Sequence, residues 1–120
     1  SPGSIARYYM ERMRHLDREE MILICFNGKN KVIKELRVSV GTVNQTVASP
    51  RELFLEALRC EAVSVIMVHN HPSGDPTPSR QDILTTKRLE EAGELLGTPL
   101  SDHLIIGDGS YISFREEQMM

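Results

Sequence analysis

The stretch Val63 to Asp82, VSVIMVHNHPSGDPTPSRQD, decides how the rest of the chain is arranged. It opens with a short, apolar, β-branched run, residues 63–68, which predicts a buried central strand. His69 and His71 follow, and a loop rich in Pro and Gly leads to a helix start at Ser79. In extended backbone, residues i and i+2 point to the same side, so the two imidazoles can converge on one point.

Asp82 lies in the first turn of the helix predicted from Ser79 to Leu96, on a buried stripe that also contains Leu89 and Leu96. A carboxylate on a buried stripe is costly unless it is paired or binds a metal. Two imidazoles and one carboxylate suit Zn²⁺ and leave a fourth position open, as in catalytic zinc sites. The spacing therefore predicts a zinc site with His69, His71 and Asp82 as ligands.

A structural interpretation of the same residues stays open. Ser79-x-x-Asp82 is also the pattern of a helix N-terminus in which Ser79 is the cap and Asp82 reaches back to it. His69 taken alone would suit a core histidine that is hydrogen-bonded to the backbone. The long combined spacing favours the metal site over these readings.

The remaining segments predict one mixed α/β domain. Residues 1–4 are expected to be a flexible leader, 5–117 the domain and 118–120 a frayed tail, with Ser4 capping the first helix. A second helix follows Ser49, with Phe54, Ala57 and Leu58 facing inward. The predicted segments are a helix to about Leu16, strands Met21–Phe26, Lys31–Val40 and Asn44–Ala48, a helix to about Cys60, and a hairpin of Leu104–Ile106 with Tyr111–Phe114.

Composition narrows the class of protein. The chain has 120 residues, 40% of them hydrophobic, and a net charge of −3, which gives no global basic footprint for nucleic acid. No apolar run approaches the roughly 20 residues of a membrane span, and no signal peptide is visible, so no membrane partner is expected. Cys25 and Cys60 sit in apolar segments and are expected to be reduced core residues of a cytoplasmic protein.

The sequence resembles two related groups of known proteins. His69-x-His71, seven residues, then Ser79-x-x-Asp82 resembles the motif of the JAMM (MPN) metalloproteases, which include deubiquitinating-type isopeptidases. The longer string from His69 to Ser79, with Gly41-Thr42 and the HLIIG segment from His103, resembles the bacterial RadC family over nearly the whole chain. Some members of that family carry an N-terminal helix-hairpin-helix module, so this chain is expected to be a fragment or a short member.

The resemblance implies a cytidine-deaminase-like (JAB/MPN) α/β fold, with a mixed β-sheet packed with three helices. It also implies bound zinc and metalloprotease activity, and the family carries a DNA-repair label. The expected reaction is hydrolysis of a peptide or isopeptide bond in a peptide or protein substrate whose identity the sequence does not specify. Neither does the sequence specify the oligomeric state.

The family motif further expects an upstream glutamate as general base. Glu19 matches by its spacing from Asn27, with Glu20 as the fallback and Glu35 a weaker third choice. An exposed charge between helix and strand is the ordinary interpretation of Glu19. In the implied mechanism Glu19 handles the proton of a zinc-activated water, and Ser79 donates a hydrogen bond to the oxyanion.

Three other functions compete. A binding module, including a DNA-associated one, can keep the motif without catalysis, and a degenerate site can bind metal without turnover. A zinc deaminase expects His-x-Glu and a Pro-Cys-x-x-Cys segment, whereas position 71 is His and the two cysteines are far apart. Asp102 and His103 are expected to be structural polar residues at a strand start.

Overall fold

The computed structural model describes residues 1–39 and 49–120, apart from the side chains of Val38 and Ser39. The strand predicted over Asn44–Ala48 and the Gly41-Thr42 pair therefore lie outside the described residues. The elements in chain order are α1 (Pro2–Met13), β1 (Glu20–Phe26), β2 (Val32–Ser39), α2 (Pro50–Arg59), β3 (Ser64–Asn70), α3 (Arg80–Leu96), β4 (Leu100–Ile106) and β5 (Tyr111–Ser113).

The described strands form one mixed sheet in the order β2-β1-β3-β4-β5. β3 occupies the centre, as predicted, antiparallel to β1 and parallel to β4. The parallel pair is joined through α3, because parallel neighbours need a crossover connection. The mixed α/β fold with three helices, expected for a JAB/MPN domain, is confirmed.

Helices cover both faces of the sheet. On one face, α2 and α3 pack over β1 and β3 through a cluster that includes Met21, Leu53, Phe54, Met67 and Leu89. On the other face, α1 packs over β1, β3 and β4 through a second cluster that includes Tyr9, Met13, Ile22, Val68 and Leu104. Because side chains alternate along a strand, consecutive residues of β1 serve opposite layers.

The first helix begins earlier than the sequence predicted. Residues 2–4, expected to be a flexible leader, form the first turn of α1, and Ser1 rather than Ser4 is the N-cap. The Ser1 hydroxyl accepts a hydrogen bond from Ser4 N at 3.4 Å. Pro2 fits the first helical position because its missing N–H would have no partner there.

Two leucines predicted to face the core are partly exposed. Leu58 of α2 and Leu96 of α3 keep 45% of their surface accessible, because both line an open apolar groove of about 350 Å³ between the two helices. Gly93 is buried in place of Leu96 on the α3 stripe. Its missing side chain lets α3 approach Thr98 and Pro99, where an added Cβ would lie 2.7 Å from Thr98 O.

The C-terminal part is more ordered than expected. β4 begins at Leu100 and pairs with β5 as the predicted hairpin, with Ile105 opposite Ile112. The tail expected to fray instead turns back, because Met119 N donates to Phe114 O at 2.8 Å and Met120 packs against the core. Among the described residues, the chain forms no helix that is long and apolar enough to cross a membrane.

Candidate metal centre

The C-terminal end of β3 presents the two histidines. His69 is buried, and it lies opposite Met21 in the antiparallel pairing with β1. His71 follows the last strand residue, and its backbone N–H donates to Ile106 O at 2.9 Å, which continues the pairing with β4. His69 and His71 therefore share a face of the sheet, and their rings meet edge to face with centroids 4.9 Å apart.

A capping box brings Asp82 to the same place. Ser79 Oγ accepts from Asp82 N at 3.0 Å, and Asp82 Oδ2 accepts from Ser79 N at 2.8 Å. This is the helix start that the sequence left open as the structural interpretation. It does not exclude the metal interpretation, because the same carboxylate lies 3.0 Å from His71 Nε2 and 3.5 Å from His69 Nδ1.

The structure brings Glu19, and not Glu20, to the histidines. Glu19 Oε1 lies 3.0 Å from His69 Nε2 and 3.9 Å from His71 Nε2. The β1 register explains this, because continuing the Met21–His69 pairing by two residues places Glu19 opposite His71. Glu20 lies on the opposite side of the strand, within 3.5 Å of Arg37.

Glu35, the third candidate for the general base, has a different partner. Its carboxylate accepts a hydrogen bond from the hydroxyl of Tyr9 on α1. Burial and this contact raise the pKa of Tyr9 above its usual range. We therefore assign Glu35 to the packing of α1 on the sheet.

Glu19, His69 and His71 form a cluster that could hold an ion, and Asp82 contacts both histidines through different carboxylate oxygens. Potential ligand atoms of Glu19, His69 and His71 all lie within 4.8 Å of one another, whereas the sequence predicted His69, His71 and Asp82. The carboxylates differ in their surroundings: Asp82 is buried and fixed by the capping box, while the Glu19 side chain is 40% exposed. A buried, immobilised carboxylate suits a resident ion, and an exposed one suits exchange of protons with water and substrate.

The hydrogen bonding of the imidazoles also favours a cation. His71 Nδ1 lies 2.9 Å from Asp75 O, and a carbonyl only accepts, so Nδ1 carries the proton and the neutral ring turns the Nε2 lone pair toward Asp82. In neutral His69 one nitrogen is likewise an acceptor facing a carboxylate, and its buried Nδ1 has no hydrogen-bond partner among the described residues. Acceptors that face acceptors require a proton or a metal ion between them, so this donor set fits a divalent cation.

The charges in the metal-free protein follow from these contacts. The hydrogen bond with His69 lowers the pKa of Glu19. Burial alone would raise the pKa of Asp82, but the hydrogen bonds from His71 and from Ser79 N outweigh it and hold that pKa far below its usual range. The contact with Asp82 raises the pKa of His71. Both carboxylates are therefore ionised at neutral pH, as metal ligation requires.

Ser79 caps α3 through its oxygen, and its hydroxyl lies beside the Asp82 carboxylate, whose pKa it helps to lower. Ser79 Oγ acts as an acceptor toward Asp82 N, so capping does not use its hydroxyl proton. The Ser79 residue itself is exposed. A hydroxyl beside the Asp82 carboxylate can thus cap α3 and donate to a substrate oxygen at the same time.

His103 is buried directly behind the histidines and Asp82, a position that the sequence did not predict. It is fully buried, and its ring lies between Phe114 and His69, 5.7 Å from the latter. Its Nδ1 contacts Thr86 Oγ1, which donates to Asp82 O at 2.8 Å. Burial lowers the pKa of His103 to about 3. The parallel pairing of β4 with β3, which the sequence did not predict, brings this residue behind His69.

Asp102 is structural, as expected. Its Oδ1 accepts from the backbone N–H groups of His103 and Arg115, and its Oδ2 accepts from Ser113 Oγ at 2.6 Å. Cys25 and Cys60 carry free thiols and pack in the core between the sheet and α2. They are not among the residues that converge on the site, so the described part of the chain offers no deaminase-type ligand set.

Comparison with known proteins gives a consistent match. The family model described as a RadC-like JAB domain matches residues 1–119. A UPF0758 protein of Geobacillus thermodenitrificans is 53% identical over 116 residues, which cover 97% of this chain and 51% of the relative. One of Pelobacter propionicus is 46% identical over 120 residues, 100% of this chain and 52% of the relative. The chain thus spans about half the length of the curated relatives it matches.

Proposed function

The chain belongs to the family of RadC-like JAB domains, and on that premise we propose that it is a zinc-dependent hydrolase of peptide or isopeptide bonds. One observation carries the proposal. The acceptor nitrogens of two imidazoles face the buried carboxylate of Asp82 at the N-terminus of α3. A second carboxylate, that of the half-exposed Glu19, lies beside them. A structural zinc site has no use for that second carboxylate, whereas a hydrolytic one needs a base.

The residues divide into three roles. His69, His71 and Asp82 would hold Zn²⁺, which when bound polarises a carbonyl and lowers the pKa of water toward about 7. Glu19 accepts the proton of the attacking water and passes it to the leaving amine. Its partial exposure gives it access to both. Ser79 donates a hydrogen bond from its hydroxyl to the carbonyl oxygen as negative charge develops there, a kind of contact whose loss costs about 3 kcal/mol at an oxyanion hole.

Peptide turnover with and without a chelator tests the proposal. We expect a zinc-loaded sample to cleave internally quenched peptides or lysine isopeptides, and we expect 1,10-phenanthroline to abolish and added zinc to restore cleavage. Glu19→Gln is expected to lose turnover and keep zinc, while the adjacent Glu20→Gln is the matched control that keeps both. Zinc-dependent turnover that survives Glu19→Gln would contradict the assignment of the base.

The alternative is a non-catalytic metal-binding or DNA-repair-associated module. It predicts stoichiometric zinc without turnover of any peptide substrate, and salt-dependent DNA binding in the second case. The net charge of −3 does not favour nucleic acid as a partner. The cytoplasmic location expected from the reduced cysteines stays a prediction.

A further inference from the structure

Asn70, the residue between the two histidines, is a buried amide with both of its polar ends in use. It is the last residue of β3 and is 1% exposed. Its Oδ1 accepts from Glu20 N at 2.6 Å, and its Nδ2 donates to Arg18 O at 3.1 Å. The two bonds therefore hold the backbone on either side of Glu19.

The hydrogen bonds of the Asn70 side chain begin where the backbone pairing between β1 and β3 ends. The last Cα partners of β1 and β3 at this end are Met21 and His69, and β1 itself starts at Glu20. Glu19 lies outside the strand, and its carboxylate contacts the imidazoles of His69 and His71. On the β3 side, the amide of Asn70 is the one described group that bonds the backbone beside Glu19, while Glu20 pairs with Ser39 of β2 on the other side.

Only an amide side chain offers both the acceptor and the donor that the two backbone groups require. The Glu20 N–H requires an acceptor and the Arg18 carbonyl requires a donor, and the asparagine side chain offers one of each at the same depth. Aspartate would keep the acceptor but face the Arg18 carbonyl with a second acceptor. Alanine would remove both partners.

We propose that Asn70 is a positioning residue that sets Glu19 in place against the histidines. The expected effect of Asn70 on turnover rests on the proposed function, whereas its effect on the position of Glu19 does not. The described hydrogen bonds of the Asn70 side chain go to the backbone of Glu20 and Arg18, and not to His69, His71 or Asp82. Asn70 acts through the backbone of Arg18 and Glu20, so its removal frees Glu19 while His69, His71 and Asp82 keep their places.

Kinetics in a double-mutant cycle test the catalytic part. We expect Asn70→Ala to lower kcat about 10- to 100-fold, with KM and zinc affinity within about threefold of wild type. We expect Asn70→Asp to lose less, since it keeps the bond from Glu20 N. In the Glu19→Gln background, Asn70→Ala is expected to cause no further loss. An equal loss in both backgrounds, or a parallel fall in zinc affinity, would overturn the proposal.

Amide hydrogen exchange tests the structural part without any turnover. In metal-free Asn70→Ala we expect faster exchange at Glu20, and unchanged exchange at Ile22, which stays paired within the strand. Asn27→Ala is the matched control, because Asn27 likewise makes two side-chain hydrogen bonds to backbone, but in the turn at the other end of β1. Its Oδ1 accepts from the N–H groups of Lys29 and Lys31. Unchanged exchange at Glu20 in Asn70→Ala would overturn the proposal even if the wild-type protein cleaves peptides. If the wild-type protein cleaves none, faster exchange at Glu20 still supports it.

Discussion

Replacing Gly107 with alanine is expected to destabilise the domain, because this glycine lets the loop after His71 lie directly on the end of β4. An added Cβ would sit 2.3 Å from Gly74 O and 2.8 Å from Pro76 Cδ, against an ordinary contact of at least 3.4 Å. The loop must therefore move by about 1 Å, a displacement large enough to break a hydrogen bond. The bond at risk runs from Asp108 N to Gly74 O and is now 2.9 Å long.

The expected decrease in the free energy of unfolding is the sum of an overpacking cost and the cost of the lost hydrogen bond. Overpacking costs about 1–3 kcal/mol and the hydrogen bond about 1 kcal/mol, so we expect a loss of about 3 kcal/mol and a fall in Tm of about 10 °C. The same movement draws Asp75 O away from His71 Nδ1, now 2.9 Å apart, and we expect zinc affinity to fall about tenfold.

Urea unfolding of the metal-free protein and zinc competition with a chromophoric chelator measure both effects. Gly28→Ala is the control, because its Cβ would meet no atom within 4 Å, and we expect a change within about 0.5 kcal/mol. A Gly107→Ala variant as stable as this control would refute the reasoning, since the loop would then not depend on contact with β4.

Three further predictions concern the helix caps, pH and the C-terminal hydrogen bonds. Ser79→Ala and Ser49→Ala each remove a helix cap and are expected to cost about 1 kcal/mol in thermal unfolding, but only Ser79→Ala should lower kcat. The pKa of His103 is about 3 in the folded protein and 6.5 in the unfolded chain, so the unfolded state binds the extra proton and stability of the metal-free protein rises by about 2 kcal/mol from pH 4.5 to 6.5. His71, whose pKa is raised, contributes stability below pH 6.5 that is lost as pH rises through its folded pKa. Urea unfolding at a series of pH values should therefore show the highest stability near pH 6.5. In His103→Asn, the fall in stability toward acid pH should be smaller. Asp102→Ala leaves three donors without their acceptor and is expected to cost about 3 kcal/mol in urea unfolding; a loss under about 1 kcal/mol would contradict its structural role.

Local sequence signals were sufficient for the central part of the fold. The β-branched run before His69 predicts a strand whatever its partners, and Ser79 followed by Asp82 predicts a helix start from chemistry within four residues. Their convergence also follows locally, because one strand end, one short loop and one helix turn bring His69, His71 and Asp82 together.

Non-local pairing decided what the sequence left open. Glu19 and Glu20 are chemically equivalent, and only the register of β1 against β3 turns the first toward the histidines. His103 reaches the back of the site through the pairing of β4 with β3, in which it lies opposite Met67. Neither pairing has a signal within one segment, since both depend on how distant strands align.

The start of α1 does have a local signal, because Ser1 before Pro2 is the same cap pattern as Ser49 before Pro50. The limit applies instead to two leucines of α2 and α3. Leu58 and Leu96 have the correct spacing for burial, but they lie where a groove stays open between two helices. Periodicity gives the direction of a side chain and does not give what covers it.

Anomalous diffraction at the zinc edge, from crystals grown with zinc, tests the metal centre most directly. We expect one strong peak within about 2.0–2.2 Å of nitrogen atoms of His69 and His71 and of an Asp82 oxygen, with the Glu19 carboxylate outside that distance. A peak coordinated by Glu19 in place of Asp82 would reverse the roles assigned to the two carboxylates. The absence of a peak from zinc-saturated crystals would contradict the zinc site and with it the proposed hydrolysis.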